Sequence, residues 1–428
     1  MNDPQDPHHP PMGTPLALVH WAFPPTVGGV ESHLWDYSQL LSRSGYPVTV
    51  FTGTSCPDQP PGVEVLHHPS LDLETEAASP KARRNLHDWF GSQLRQRGIR
   101  LVHGHNLHHF AEAPAMALLD LRSELDLVLL HSYHSIWEER DHPAAEAVKQ
   151  WDGHFTISDF LRRDCERVLG IATTRTYLGI DTARFVEVPP LGRPDAAEPA
   201  TILLPARLIP DKGAELAVQA LHHIVSSGLC PEVTPRLLLT ETPDCVDFHH
   251  EKDGFRGRLT RLIESCGLTG QVDFERAGVA DMPALYARAR VVVYPSNFAE
   301  PMGLAPLEAM CAARPVVVSR MGGLDEGVSQ DCEVGYVVPD RDHHKLADRI
   351  AELLNTPDRA RKMGLKGRDH VRAHFDLRQS YLKPMLKEYE RALRADGGQQ
   401  KCLTRKVADG MSSDAMSVTF VDRLPAVR

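Results

Sequence analysis

The chain has 428 residues, 42% of them hydrophobic and 24% charged, with a formal net charge of −10. That length favours two or three domains over one, and the acidic balance excludes broad nucleic-acid binding, which needs a basic surface. The cysteines lie far apart with no C-x-x-C pair, so zinc-knuckle and thioredoxin-like chemistry are not indicated and reduced thiols are expected.

Met1 to Met12 is polar and proline-rich, without the basic and apolar regions of a secretion signal. No apolar run reaches the roughly 18 residues needed to span a bilayer. The expectation is a cytoplasmic protein, at most peripheral to the inner face of a membrane.

Residues 1–14 read as a disordered start. Leu16 to Val19 is a short buried strand, followed by a loop ending in Gly28-Gly29. Val30, Leu34, Tyr37, Leu40 and Leu41 then recur at helical spacing, and Pro47 to Phe51 forms the next apolar strand. Strand, glycine loop, helix and strand make a βαβ unit, which predicts a parallel sheet. Further strands are predicted at Leu101–His103, Leu127–Leu130 and Gly153–Ile157, completing a domain over 15–185. The helical stretch Lys81 to Arg100 puts Leu86, Trp89, Phe90 and Leu94 on one face, as an ordinary surface helix does.

Residues 186–199 hold four prolines and few apolar side chains, a linker composition. The alternation restarts at Thr201–Leu204 and continues through Leu237–Leu239, Val272–Phe274, Val291–Tyr294, Pro315–Val318 and Gly335–Val338. These continuous apolar strands suit a sheet covered on both faces. The second domain is placed at 200–376, a C-terminal helix at 377–395 packing back toward the first domain, and a flexible tail at 396–428. The fold class expected is α/β, two Rossmann-like doubly wound sheets facing across a deep cleft. Such sheets bind ligands at the carboxyl ends of their strands.

The loop after Tyr294 carries the richest chemistry. Glu300 and Glu308 lie eight positions apart, with Met302, Gly303 and Leu304 between them and a helix starting near Leu304 to Pro306. The glycine and the helix N-terminus favour an anion, and carboxylates are good acceptors for sugar hydroxyls. Taken alone, a helix-terminal charge and a surface residue is the blander, less favoured reading. After the strand at 201–204, Arg207 and Lys212 place two cations on one strand-end loop, suited to a diphosphate. A solvated basic loop is the plainer reading. Gly28 and Gly29 allow backbone to approach a ligand, though such a pair can be merely a tight turn. His134 follows the strand ending at Leu130; an isolated histidine is more often structural.

The run from Tyr294 to Met310, followed by Arg314-Pro315-Val316-Val317-Val318, strongly resembles the retaining glycosyltransferases of family 4, which have the GT-B fold. The likeness covers roughly residues 15–395. It implies that Glu300 contacts the transferred sugar and that Glu308 holds the ribose hydroxyls. The amides of Met302, Gly303 and Leu304 then lie near the sugar and phosphates. Leu204 to Gly213 resembles the family's G-R-L-x-x-x-K-G, whose Arg and Lys grip the diphosphate, so Arg207 and Lys212 take that role. Gly28 and Gly29 match the glycine-rich donor loop, and His134 a histidine beside the transferred sugar.

The implied reaction moves a sugar with retention from a nucleoside diphosphate, uridine first and guanosine second, to an unidentified acceptor: a small molecule, a saccharide or a lipid-linked group. A GT-B phosphorylase, a nucleotide-sugar epimerase and a non-catalytic sugar-nucleotide binder are the alternatives. Leu178 replaces the family's usual asparagine, and Thr240-Glu241-Thr242-Pro243 replaces a glycine turn where the nucleotide is held. Ala313 replaces a common glycine and is expected to be a neutral packing change. Asp340-Arg341-Asp342 has a metal-chelating form, but Asp342 reads better as a helix N-cap. Cys245, His249 and His250 make no zinc pattern. No metal and no cofactor are expected.

Overall fold

The computed structural model describes residues 13–72, 80–109, 111–136, 142–192, 198–242, 254–328 and 333–395. The readings for residues 1–12, the 396–428 tail, the middle of the linker at 193–197 and the Cys245–His250 segment lie outside them.

The first half forms an all-parallel sheet of β1 (Leu16–Val19), β2 (Val48–Thr52), β3 (Val63–His67), β4 (Leu101–His105), β5 (Val128–Tyr133), β6 (Gly153–Thr156) and β7 (Thr174–Arg175), in the order β3-β2-β1-β4-β5-β6-β7. The second half contributes β8 (Ala200–Leu204), β9 (Pro235–Glu241), β10 (Val272–Arg276), β11 (Val291–Tyr294), β12 (Val316–Ser319) and β13 (Tyr336–Val338), in the order β10-β9-β8-β11-β12-β13, again parallel.

Every residue of β1, β2, β4, β5, β11 and β12 is buried. Helices cover both faces, and the apolar runs in the sequence reflect this. Three edge strands have no such run. β10, expected as a continuous apolar strand, alternates apolar and charged side chains and has no fully buried residue. β3 alternates buried and exposed side chains at the sheet edge, and β7 is two exposed residues.

In each sheet the strand order reverses beside the first strand, between β1 and β4 and between β8 and β11. At that point successive loops diverge and leave a crevice. The helix Gly29–Arg43 starts from the first crevice and buries Leu34, Tyr37 and Leu41 against the sheet.

The chain crosses between the two halves twice, side by side. The Ile180 amide donates to the Phe375 carbonyl, and the Leu377 amide returns to the Ile180 carbonyl, both at 2.9 Å. Beyond that crossing, helical residues 383–395 reach the first sheet. The Tyr389 hydroxyl lies 2.7 Å from His103 Nδ1 and 2.9 Å from the Tyr37 hydroxyl.

The start of the linker is packed rather than exposed, because Val188 and Leu191 are buried. The Arg314 guanidinium reaches the Pro189 carbonyl at 2.7 Å and the Arg368 guanidinium reaches that of Val188.

Candidate active site

The two crevices open into one cleft of about 670 Å³, lined from both halves of the chain. Gly28, Gly29, His134, Arg207, Lys212, Glu300, Met302, Gly303, Leu304 and Glu308 all line it. The structure therefore brings every residue singled out as catalytic or donor-binding to one place.

On the C-terminal wall, Lys212 and Glu300 are buried and joined as an ion pair. Burial works against the Lys212 charge, but the Glu300 carboxylate more than offsets it and leaves the ammonium pKa above its ordinary value. Ser296 Oγ donates to the same Glu300 oxygen at 3.1 Å and lies 3.0 Å from the Asp211 carbonyl. The two loops that carry the pair are stitched further by the Asn297 amide on the Asp211 carbonyl at 2.8 Å.

Two glycines make this approach possible. Gly213 sits at φ +73°, where a Cβ would fall 1.8 Å from the Pro295 carbonyl oxygen. Gly322 sits at φ +66°, with a Cβ position 2.2 Å from the Glu300 oxygen. No side chain fits at either point. The Gly323 amide then holds the Glu300 carbonyl at 2.7 Å.

Glu308 lies in the helix Leu304–Cys311, whose N-cap is Gly303. Its carboxylate accepts from the Tyr286 hydroxyl at 2.9 Å. Burial raises its pKa, countered by the Tyr286 hydrogen bond and the Arg184 charge.

The N-terminal wall is built from histidines. His134, 4% exposed, has Nε2 2.9 Å from His105 Nδ1, and its amide donates to Asn106 Oδ1 at 2.7 Å. His20 sits between the His105 carbonyl, 2.8 Å from Nδ1, and Glu31, 3.2 Å from Nε2. His33 lies parallel to Tyr37 with ring centroids 5.6 Å apart, and the edge contact to Tyr381 is 4.5 Å. Burial and neighbouring imidazoles hold His105 and His134 well below the ordinary histidine pKa, and burial takes His33 down to about 3. These rings are neutral at physiological pH.

Sequence reasoning missed His33, Asn106, Arg184 and Glu326. Asn106, at φ +53°, fixes the His134–Ser135 backbone with one side-chain oxygen, a role only the folded loops reveal. Arg184 bridges the walls, 3.3 Å from Asp36 and 2.9 Å from the Val279 carbonyl. Glu326 accepts the amides of Asp159 and Phe160 at 2.7 and 2.6 Å, so a side chain of one half caps a helix of the other. For His33, the helical spacing from Gly29 was the available signal.

One reading is corrected. Ala313 is not a neutral replacement, because its φ is +55°, a backbone conformation that glycine adopts freely and alanine does not. Asp342 caps its helix as expected, accepting the Lys345 amide at 2.9 Å. Among the described residues no group of three or more His, Cys, Asp or Glu is arranged to hold a metal ion. Nor is any described helix long and apolar enough to cross a membrane.

Known families, relatives and solved structures resemble this chain. The family profile of glycosyl transferases group 1 matches residues 193–370, and that of Glycosyltransferase Family 4 matches residues 27–184. A GDP-mannose-dependent alpha-(1-6)-phosphatidylinositol monomannoside mannosyltransferase of Mycobacterium tuberculosis is 28% identical, over 84% of this chain and 94% of the relative. A glycogen synthase of the same organism is 26% identical, over 84% and 91%. Among solved structures, a glycosyltransferase from Rickettsia africae superposes with a TM-score of 0.74 at 16% identity, covering 89% of this chain and 99% of that one. That last likeness speaks to fold alone.

Proposed function

Because the chain belongs to the glycosyltransferases of group 1 and family 4 and has their GT-B fold, we propose that it transfers a mannose-like hexose, with retention, from a guanosine diphosphate sugar to an acceptor hydroxyl. One observation carries the site model: Arg207, Lys212, Glu300 and Glu308 converge on a single cleft lined by both domains. Guanosine replaces uridine as the first choice of donor because a relative matching 84% of the chain is named for GDP-mannose.

In this reading the diphosphate takes up position between Arg207, Lys212 and the start of the helix Leu304–Cys311. As the anomeric C–O bond breaks, positive charge grows on the sugar ring and negative charge on the leaving phosphate. Fixed cations and amides stabilise that anion without rearranging, and this is where most of the rate enhancement arises. The acceptor oxygen forms its bond to the anomeric carbon on the face that the phosphate leaves. Its proton passes to the departing phosphate oxygen, so both charges are resolved in one exchange. Glu308 holds the ribose hydroxyls. Lys212 and Glu300 are an ion pair, so donor binding has to share the ammonium between carboxylate and phosphate.

No metal is assigned to this chemistry, since the two side-chain cations supply the charge a divalent ion otherwise would. A lipid-linked acceptor, as the relative's name suggests, would bring the protein to a membrane surface.

The test is a panel of GDP- and UDP-sugars scored for thermal stabilisation and then for transfer, with and without EDTA. GDP-mannose is expected to stabilise most, and turnover to survive the chelator. Stabilisation by uridine donors alone would overturn the choice of base. Turnover that needs added phosphate, or an epimerised donor without acceptor, would favour phosphorolysis or epimerisation. Binding without any turnover would mark a non-catalytic binder.

A further inference from the structure

The N-terminal wall of the cleft differs in charge from the wall that faces it. Among the described residues of that wall, Arg184 is the one guanidinium or ammonium group lining the cavity, and it is already engaged by Asp36 and the Val279 carbonyl. Three carboxylates, Glu31, Asp36 and Asp181, line the same wall. A phosphate monoester entering here meets negative charge and no uncommitted cation of that wall. It would have to compete with the donor diphosphate for Arg207 and Lys212.

What the wall does offer is imidazole. His33 is 2% exposed, lines the cleft, and has no hydrogen-bond partner at either ring nitrogen among the described residues. Its ring is held by Tyr37 and Tyr381 through packing alone. His134 also lines the cleft, and its Nδ1 is without a partner. The two ring centroids lie 5.5 Å apart.

Burying a polar atom without a partner is unfavourable, so nitrogens left this way call for a ligand atom. With its pKa near 3, the His33 imidazole stays neutral and presents one donor and one acceptor. A hydroxyl is the matching group, since it also gives and takes one hydrogen bond, whereas a phosphate oxygen only accepts.

We infer that His33 and His134 form the acceptor subsite, and that it takes an uncharged polyhydroxylated ring, a sugar or a cyclitol, with no phosphate monoester on the ring that enters the cleft. This rests on the transferase reading above. His33 binds and orients the acceptor through ring hydroxyls beside the one that reacts, and Asn106 is a positioning residue that sets the loop carrying His134.

The experiment has two arms, kept separate from the parent reading by first measuring GDP binding by calorimetry. If GDP and UDP both fail to bind, it is the transferase reading that fails. With GDP bound, transfer from GDP-mannose is measured to two matched pairs: methyl α-D-mannopyranoside against mannose 6-phosphate, and myo-inositol against myo-inositol 3-phosphate. The neutral member of at least one pair is expected to be the better acceptor by tenfold or more, with a KM insensitive to salt. In the second arm, His33→Phe keeps the ring packing but removes both nitrogens, and should raise the acceptor KM about tenfold while leaving the GDP Kd unchanged. His33→Gln, which restores a donor and an acceptor, should recover most of that loss. Melting temperatures of both variants check that they fold. Preference for the phosphorylated members, use of neither member of either pair while GDP binds, or an unchanged acceptor KM in a folded His33→Phe variant would each overturn the inference.

Discussion

The two walls of the cleft bury polar groups by opposite means. The C-terminal half keeps its charges and pairs them: Lys212 with Glu300 on the cleft lining, and Arg314, away from the cleft and almost wholly buried, with the carbonyls of Tyr286, Pro189 and Ala287. The N-terminal half relies on neutral imidazoles instead: His33 and His134 on the cleft lining, and His103, His105 and His131 away from it, are all held far below the usual histidine pKa. The difference follows from the task proposed for each. A leaving diphosphate needs permanent charge close by, whereas an incoming hydroxyl needs directional partners that do not attract stray anions. Buried charge costs several kcal/mol per ion unless it is paired and hydrogen-bonded, and Ser296 and the 211–213 loop supply that framing.

Acid should break this comparison most visibly. A histidine whose folded pKa is depressed binds fewer protons in the native than in the unfolded state. Its contribution to stability is fully present above the unfolded value near 6.5 and is lost as pH falls toward the folded one. With His33 and His103 at about 3 and His109 at about 4, that window runs from pH 6.5 downward. Each such group removes about 1.4 kcal/mol per pH unit inside it, and several act together in one domain. Hydrogen exchange at pH 5 against pH 7.5 should therefore show peptides of the N-terminal sheet losing protection before those around β8, β11 and β12. Equal loss in both halves would show that the histidine wall is no less acid-resistant than the charged one.

The next effect belongs to the charged wall. If Arg207 and Lys212 neutralise the departing diphosphate, their benefit grows as the bond breaks, and interactions stronger in the transition state raise turnover rather than lower KM. Lys212→Ala should reduce kcat by roughly 10²–10³, as removing one preorganised oxyanion donor does. Arg207→Lys should also be damaging, because an ammonium cannot reproduce the planar fork at a phosphate. Steady-state kinetics at saturating donor, with melting temperatures alongside, decide the matter. Near-normal turnover in both variants would move the diphosphate elsewhere.

Glu308→Ala should act on binding instead. Loss of a charged hydrogen bond to ribose weakens the donor by about 1.5–3 kcal/mol, read by calorimetry with GDP. An unchanged Kd would refute the ribose assignment and leave the Tyr286 hydrogen bond as the carboxylate's only role among the described contacts.

How much of this the sequence discloses depends on where the information resides. β1, β8, β11 and β12 are legible because strands covered on both faces must be apolar throughout, and the loops after them are legible as ligand loops for the same topological reason. β3 and β7 are not, since an edge strand has one open side and needs no apolar run. Glu300, Lys212 and Arg207 stand out because their charges lie on strand-end loops. The Lys212–Glu300 pair does not stand out, because the two are 88 positions apart and meet only through the glycines at 213 and 322. His33 and His134 meet in the same hidden way, one from the helix after β1 and the other from the loop after β5. Asn106 and Glu326 act on backbone amides far away in the chain, and no local pattern marks them.

Ala313 shows the same limit at a single residue, and supplies the smallest test. Its sequence context, between a helix and Arg314-Pro315, suggests only a small side chain, and size is satisfied by alanine as well as glycine. The constraint is dihedral rather than steric. Ala313 ends the turn after the helix Leu304–Cys311 at φ +55°, and its carbonyl packs against Gly364 so closely that a Cβ there would lie 2.2 Å away. The turn therefore cannot relax by moving toward the helix Pro357–His374. A left-handed alanine costs about 1–2 kcal/mol, and part of that is offset because glycine gives the unfolded chain more freedom to lose. Ala313→Gly should then stabilise the C-terminal domain by about 0.5–1 kcal/mol, a rise of about 1–4 °C for a domain of that size. The N-terminal hydrogen-exchange pattern and the GDP affinity should not change. A lower melting temperature would mean that the Ala313 methyl contributes more through packing than its backbone loses through strain.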